Sequence, residues 1–493
     1  MARFLRLAIV ASSLLLLAAR LNAFTLLGPL APWQTTVLSY DRGTSLGGFG
    51  PMNLGEEYRW NVPELTYGFT SDFLNYFGEY GASQIVKAMD MLNALPSASS
   101  IDDKTLNAFP QSTLRLNHRA AAIGLTDIKS YALEYVLYTM GLADPTRYGY
   151  CLRQRWVETG CPTTGNIDYW VIQRNFDPVT LSYSPYINSD LWSFDDILEG
   201  APPCGGPALL LPVPVDPLGL FGLRHTPVTS LQANSFFVKG GFYTGLTRDD
   251  VGGLRYIYAT KNYNVETVPA GAIGGTNFSS FGFITGNGSP WSVPVFTTNI
   301  VGLTNTAGVT NNFIDPGLRG GVDKVTFTRA DYDSLFGGFV TRTNAYTENI
   351  IVAGRAVPQV VVRILQAPDI LFDTADIQGP DSPPFPPAFT ITTHGETENA
   401  WVNNDAINGR AGNYGPGTIT PSVGATAGFV LTFNNVGPLT GQTWPFFVSQ
   451  ADAVFTPNAN LLWGSYDGTT NEPVVYPYGT SIQQIEAQVF GGQ

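Results

Sequence analysis

Charged side chains are scarce in this chain of 493 residues: Asp, Glu, Lys and Arg together make up 13%, about half of their usual share in a soluble domain. The charges are also unbalanced, because 39 acidic residues stand against 26 basic ones and give a net charge of −13. This balance argues against DNA or RNA as the main partner, since phosphate binding needs a basic surface. Apolar residues are plentiful, at 44%, which excludes a chain that is disordered throughout.

The sequence contains three histidines and three cysteines, too few and too scattered for the common zinc motifs. It has no CxxC pair, and His118, His225 and His394 are not spaced as pairs of zinc ligands. The sequence also lacks three common binding motifs: a Walker A loop, a GxGxxG turn between a strand and a helix, and an EF-hand loop. We therefore predict no cofactor, with calcium as the one candidate ion.

Long apolar runs are missing too, and the apolar run at residues 7–19 is too short to span a bilayer. Arg3 and Arg6 precede this run, and Ala23 ends a cleavage site, which is the pattern of a secretory signal peptide. We expect residues 1–23 to be removed near Ala23. The mature chain is then expected to be secreted or held at the cell surface, without a membrane span.

The cysteines are Cys151, Cys161 and Cys204. An oxidising compartment favours disulfides, and closeness in sequence favours the pair Cys151–Cys161. The other two pairings stay open, and each pairing leaves one thiol over.

Strand and helix signals alternate in the first half of the mature chain. Alternating apolar positions predict a strand over residues 64–69. The helix after it is expected to be capped by Thr70 or Ser71 and to end before Pro96. A further strand is predicted over residues 114–117.

Two more helices are predicted before residue 262. The first starts at Thr126 and has almost no polar face, which is typical of a helix buried on most sides. The second begins at Thr247 and extends to about Ala259. The stretch between them, residues 146–240, is rich in Pro, Gly, Tyr and Asn and is predicted to be mostly loop.

After residue 263 helical periodicity disappears, and short strands alternate with Gly, Asn and Pro turns, which indicates β-sandwich modules of the immunoglobulin-like kind. The predicted fold class is α+β followed by all-β. The predicted divisions are a signal peptide (1–23), an N-terminal arm (24–57), an α+β domain with a loop-rich insertion at 146–240 (58–262), and two β-sandwich modules (263–380 and 381–493).

Three segments carry a family resemblance. Residues 60–69 combine Trp60 with the strand ELTYGF, residues 132–142 read ALEYVLYTMGL, and residues 246–258 read LTRDDVGGLRYIY. Together they resemble the opening strand, the active-site helix HExxHxxGxxH and the last helix, LSxDDxxGxxxLY, of a matrixin-like zinc metalloprotease of the metzincin class. The resemblance covers about residues 58–260 and implies a metzincin-like α+β domain.

The residues that carry the family's chemistry are absent. The family's active-site helix presents two His to one zinc, with a Glu between them as general base. Here those positions hold Leu133 and Leu137, and only Glu134 matches. No third His occurs near Ala143, and residues 235–238, SFFV, occupy the place of the Met-turn. The resemblance therefore implies an inactive scaffold, a pseudo-metalloprotease without zinc chemistry.

Three carboxylates of this domain have two interpretations each. Glu134, on a nearly all-apolar helix, is a candidate for a general acid or base, and otherwise lies at an exposed margin or pairs with Arg or Lys. Asp249 and Asp250 could bind a cation, but the favoured interpretation is that they stabilise a helix N-terminus.

A second acidic cluster contains the candidate ligands of a calcium ion, which takes several oxygen ligands. The alternative is that these residues are solvated loop side chains, since their spacing matches no defined motif. The candidates are Asp369, Asp373 and Asp376, with Asp381 beside them.

The sequence thus favours an exported, non-catalytic binding or structural protein. Its partners are expected to be extracellular proteins or peptides, or further copies of the chain in a homo-oligomer or surface assembly. One alternative is a secreted hydrolase or a metalloprotein with atypical ligands, which would bring Glu134, His118 and His225 together. The other is a carbohydrate-binding exoprotein that uses Trp401, Trp444 and Trp463, although core positions are favoured for these tryptophans.

Overall fold

The structure is a computed structural model. It describes residues 23–26, 59–142, 150–157, 167–173, 175–187, 190–199, 208–215, 239–266, 268–269, 317–374, 401–403, 417–419, 429–432 and 462–490. Residues 1–22 of the predicted signal peptide lie outside these residues. So do the Pro-rich segment 380–387, which its composition predicts as a stiff linker, and the segment 389–392, which is predicted as a strand.

Helices and strands are mixed along the described chain, which confirms the α+β class in general terms. The helices are α1 (Ser71–Asn93), α2 (Asp103–Asn107), α3 (His118–Ala122), α4 (Ile128–Thr139), α5 (Arg248–Ile257) and α6 (Ile482–Phe490). The strands are β1 (Phe24–Thr25), β2 (Glu64–Phe69), β3 (Leu114–Leu116), β4 (Leu125–Asp127), β5 (Tyr150–Val157), β6 (Ile167–Gln173), β7 (Asn175–Phe176), β8 (Tyr186–Ile187), β9 (Asp190–Glu199), β10 (Ala208–Pro214), β11 (Gly241–Tyr243), β12 (Asn264–Glu266), β13 (Gly317–Arg319), β14 (Thr326–Arg329), β15 (Tyr332–Asp333), β16 (Gly338–Phe339), β17 (Arg342–Val352), β18 (Arg355–Leu365), β19 (Ile370–Asp373), β20 (Trp401–Asn403), β21 (Gly417–Ile419), β22 (Phe429–Thr432), β23 (Leu462–Ser465) and β24 (Val474–Val475).

Strand β2 and helix α1 agree with the elements that the local sequence predicts. Thr70 is the N-cap of α1, and its Oγ1 accepts a hydrogen bond from the backbone N–H of Phe73 at 3.1 Å. Gly78 has a φ of 66°, and this non-helical residue produces a kink inside α1. The strand, the cap and the helix were all predicted from the sequence.

A parallel four-stranded sheet holds β2 in its interior. Its strand order is β14-β2-β19-β22, and every neighbouring pair is parallel. Parallel strands are usually covered on both faces, and here α1 packs against β14 and β19. Strands from the two predicted β modules thus share a sheet with β2. In the described residues this differs from the predicted antiparallel sandwich.

Two regional expectations differ from the described structure. The described parts of residues 146–240 are mostly strand, since β5 pairs with β6 and β9 pairs with β10, both antiparallel. The rest of this stretch lies outside the described residues. Aromatic and β-branched residues in YCLRQRWV and IDYWVIQ favour strands, but the Pro and Gly content of the whole stretch obscures that signal. Helix α6 shows that helical structure also occurs after residue 263.

One large apolar core connects the elements. It joins residues of α1, α4 and α5 with residues of β2 and β19, and it includes Trp463 from β23. Among the described helices, none combines the length and apolar composition that crossing a bilayer requires.

Candidate functional site

Helix α4 stands where the resemblance places an active-site helix. Leu133 and Leu137 are each 0% exposed and belong to the large apolar core. The helix packs against α1, as a helix without a polar face is expected to do. The two positions that the resemblance aligns with zinc ligands therefore lie among apolar side chains, where they contribute to packing.

Glu134 lies on the same helix and is 1% exposed. His118, at the start of α3, is exposed, whereas His225 and His394 lie outside the described residues. The structure therefore gives Glu134 and His118 opposite environments, one enclosed in the protein and one in solvent. The exposed-margin interpretation of Glu134 is wrong.

The N-terminus of α4 is fixed by a buried polar group. Asp127 Oδ2 accepts hydrogen bonds from the N–H of Ser130 at 3.0 Å and from its Oγ at 2.5 Å. Ser130 Oγ in turn accepts one from the N–H of Tyr243 at 2.8 Å. Burial raises the pKa of Asp127, although Lys129 acts in the opposite direction. Asp127 thus acts as an N-cap residue that ties α4 to β11, and α4 begins at Ile128 rather than at the predicted Thr126.

Lys239 is a half-buried amine close to this group. Its Nζ donates a hydrogen bond to Thr126 Oγ1 at 3.3 Å. Burial lowers the pKa of Lys239 to about 8, because a desolvated ammonium is disfavoured. A lysine with such a pKa supplies a substantial fraction of neutral, nucleophilic amine in mildly alkaline solution.

The reactivity of Lys239 gives a first testable prediction. The rate of its reductive methylation, followed by peptide mass spectrometry, should rise with pH around a midpoint near 8. The Lys239→Arg variant identifies the labelled peptide. A midpoint near the ordinary lysine value of 10.5 would contradict the burial that the structure gives this side chain.

The start of α5 forms a capping box, as the DD segment of its sequence suggests. Thr247 Oγ1 accepts from the N–H of Asp250 at 3.3 Å, and Asp250 Oδ2 accepts from the N–H of Thr247 at 2.7 Å. Asp250 is 0% exposed. This geometry confirms that Asp250 stabilises the helix N-terminus. The helix ends at Ile257, slightly before the predicted Ala259.

Loss of this cap should be measurable. Replacing Thr247 with Ala should lower the free energy of unfolding by about 1–2 kcal/mol. The variant loses the Oγ1 that accepts from the N–H of Asp250 and donates to Asp250 Oδ2 at 2.8 Å. Thr247→Ser is the matched control, since it keeps the hydroxyl. Equal stability of the two variants in urea unfolding would contradict the capping role.

The calcium candidates have protein donors as partners. Asp369 forms an ion pair with Arg363 and also accepts from the N–H of Thr66 at 2.8 Å and from its Oγ1 at 3.0 Å. Asp373 accepts from Thr70 Oγ1 at 2.6 Å. Asp376 and Asp381 are not among the described residues. Within the described ranges, no three His, Cys, Asp or Glu side chains gather as a metal-binding group.

The remaining candidates are only partly described. Cys151 lies in β5, and Cys161 and Cys204 fall outside the described residues, so the disulfide stays a prediction. Trp463 is 0% exposed, which confirms a core position for it. Of the other two tryptophans, Trp401 lies in β20, while Trp444 is not described.

A buried charge network was not anticipated from the sequence. Arg59 pairs with Glu266 at 2.8 Å, and both side chains are 0% exposed. Arg319 pairs with Glu348 at 2.9 Å and also donates to the carbonyl of Glu266. No local signal could have found this network, because Arg59 and Glu266 are 207 residues apart in sequence.

No protein-family model, curated protein or solved structure matches the chain. The metzincin resemblance therefore rests on the three quoted segments alone, and it stays a prediction.

Proposed function

We propose that this protein is an exported, non-catalytic binding or structural protein built on an inactive metzincin-like scaffold. The observation that carries the proposal is the position of Leu133 and Leu137, both fully enclosed in the core. In a catalytic zinc site the corresponding side chains coordinate the metal and leave one position open to water. Leucine has no donor atom for a metal, so α4 serves as a packing element.

The environment of Glu134 supports the same proposal. A general base has to come within hydrogen-bond reach of a water or substrate proton, directly or through one water. Glu134 is 1% exposed, and Leu133 and Leu137 of the same helix belong to the apolar core. Its carboxyl group is therefore enclosed on a helix that faces the protein interior.

Two further features are consistent with a retained scaffold. Strand β2 is followed by the long helix α1, and α5 begins with an intact capping box at Thr247 and Asp250. These are the first and third segments of the resemblance. The chain thus has the two segments that build the scaffold, and it has leucines at the positions where the family has zinc ligands.

Peptide hydrolysis tests the proposal. The purified chain is incubated with a mixed peptide library with and without added zinc, beside the Glu134→Gln variant. We expect no turnover above buffer in either protein, because no zinc-activated water is available at α4. Zinc-dependent cleavage that Glu134→Gln abolishes would overturn the proposal and assign a catalytic role to Glu134.

A further inference from the structure

Strand β18 lies at the edge of the described part of an antiparallel sheet. The strand order is β12-β13-β17-β18, so β17 is the neighbour of β18 on one side. The two strands run in register from Arg342↔Leu365 to Val352↔Arg355. An edge strand presents a row of backbone N–H and C=O groups that can pair with another strand.

The turn between the two strands fixes which of these groups face outward. Ala353 and Gly354 have φ values of 49° and 75°, as a two-residue type I′ turn requires. In such a hairpin the closing pair, Val352 and Arg355, exchanges hydrogen bonds, and hydrogen-bonded pairs then alternate along the ladder. The backbone groups of β18 that point away from β17, towards the edge of the described sheet, therefore belong to residues 356, 358, 360, 362 and 364.

Pro358 agrees with this assignment. Proline has no N–H, and within sheets it is confined to places where no ladder bond is needed, such as the open side of an edge strand. Pro358 pairs with Asn349, and its position in the alternation is one of the outward ones. Beyond it, Val360, Val362 and Ile364 offer an unbroken set of outward N–H and C=O groups.

The side chains of the same positions are uncharged. Val360 is 61% exposed and Ile364 is 40% exposed. The only charge in this segment, Arg363, points the other way and is buried in its ion pair with Asp369. Two copies of a chain with a net charge of −13 can thus approach along this edge without like charges directly opposed.

We propose that β18 pairs antiparallel with β18 of a second copy of this chain, through residues 360–364 and around a two-fold axis near Val362. A two-fold contact uses the same surface on both subunits. In this register Val360 of one copy lies beside Ile364 of the other. The axis produces two such pairs, and each pair can exchange backbone hydrogen bonds. The four-stranded sheet then continues across the axis. The inference deepens the structural role proposed above and rests on β18 alone, independently of the metzincin resemblance.

Sedimentation equilibrium of the purified chain tests this proposal. We expect a reversible species of twice the chain mass. Val362→Lys places two like charges directly opposite each other at the axis, and Val362→Pro removes an outward N–H, so each should raise the dissociation constant by about tenfold or more. Thr347→Lys is the matched control, because it adds a charge to the same exposed face on β17, one strand away from the edge.

Each outcome decides the question. A weakened dimer in both edge variants and an unchanged one in Thr347→Lys support strand pairing. A monomer at every soluble concentration overturns it, and so does a dimer that Val362→Pro leaves intact. A dimer weakened equally by Thr347→Lys indicates stacking of sheet faces and also overturns it.

Residue-resolved hydrogen exchange gives a second readout. The N–H groups of Val360, Val362 and Ile364 should gain protection as the concentration rises into the dimeric range. Those of Val361 and Arg363, which face β17, should stay protected throughout. Equal protection of both sets at all concentrations overturns the proposal. None of these results depends on zinc or peptidase activity, so this inference and the proposed function can fail separately.

Discussion

Replacing Arg59 with alanine is expected to lower the free energy of unfolding by about 3–5 kcal/mol, because removal of one partner leaves a buried charge uncompensated. Arg59 Nε donates to Glu266, and its Nη1 donates to the carbonyls of Ile257 and Asn262 at 2.9 Å and 2.7 Å. Its Nη2 donates to the carbonyl of Arg319 at 3.0 Å. Urea unfolding of the variant measures the loss.

An exposed ion pair supplies the control. Arg119 pairs with Glu472 at 2.7 Å, with side chains 47% and 50% exposed. Arg119→Ala should cost less than about 1 kcal/mol, as exposed pairs do. If Arg59→Ala lowered the free energy of unfolding by no more than Arg119→Ala does, the result would contradict the buried network.

The effect of Arg59→Ala should depend on pH. Burial raises the pKa of Glu266, and Arg59 is the strongest of the charges that lower it. Without Arg59 this pKa rises further, so the stability linked to protonated Glu266 is present at low pH and is lost as pH rises. We therefore expect the loss to be largest near neutrality and to shrink below the ordinary value of 4.5.

Replacing Leu133 or Leu137 with alanine is expected to cost about 2–5 kcal/mol each, because a buried side chain is removed and a cavity is left behind. Both leucines are 0% exposed. Leu335→Ala is the control, since Leu335 is 93% exposed and a surface substitution usually changes stability by no more than about 0.5 kcal/mol. Urea unfolding compares the three variants.

This comparison separates a packed helix from an open cleft. Leucines that line an open cleft retain contact with water, and their truncation leaves no closed cavity. A cost below about 1 kcal/mol for both core variants would therefore contradict the position that the structure gives α4.

Local patterns were sufficient for the elements that short-range chemistry determines. The strand of residues 64–69, the Thr70 cap, and the helix that begins after Thr247 were all predicted, because alternation and capping residues act within a few positions. The enclosed position of α4 was also predicted, from its lack of a polar face.

Long-range pairing could not be predicted. β14, β19 and β22 come from distant parts of the chain, and nothing in their sequences specifies parallel pairing in one sheet with β2. The partners of the candidate site residues could not be predicted either, for the same reason. Asp369 looked like a loop carboxylate in the sequence, but the fold brings it to Thr66, 303 residues away, and pairs it with Arg363. Each ionic contact of this kind depends on a register that only the tertiary fold sets.

The zinc content of the purified chain tests the central claim most directly. We expect elemental analysis to find close to no zinc per chain, because Leu133 and Leu137 occupy the positions of α4 that the resemblance aligns with zinc ligands. About one tightly held zinc per chain would contradict it and show that the metal ligands lie elsewhere in the chain.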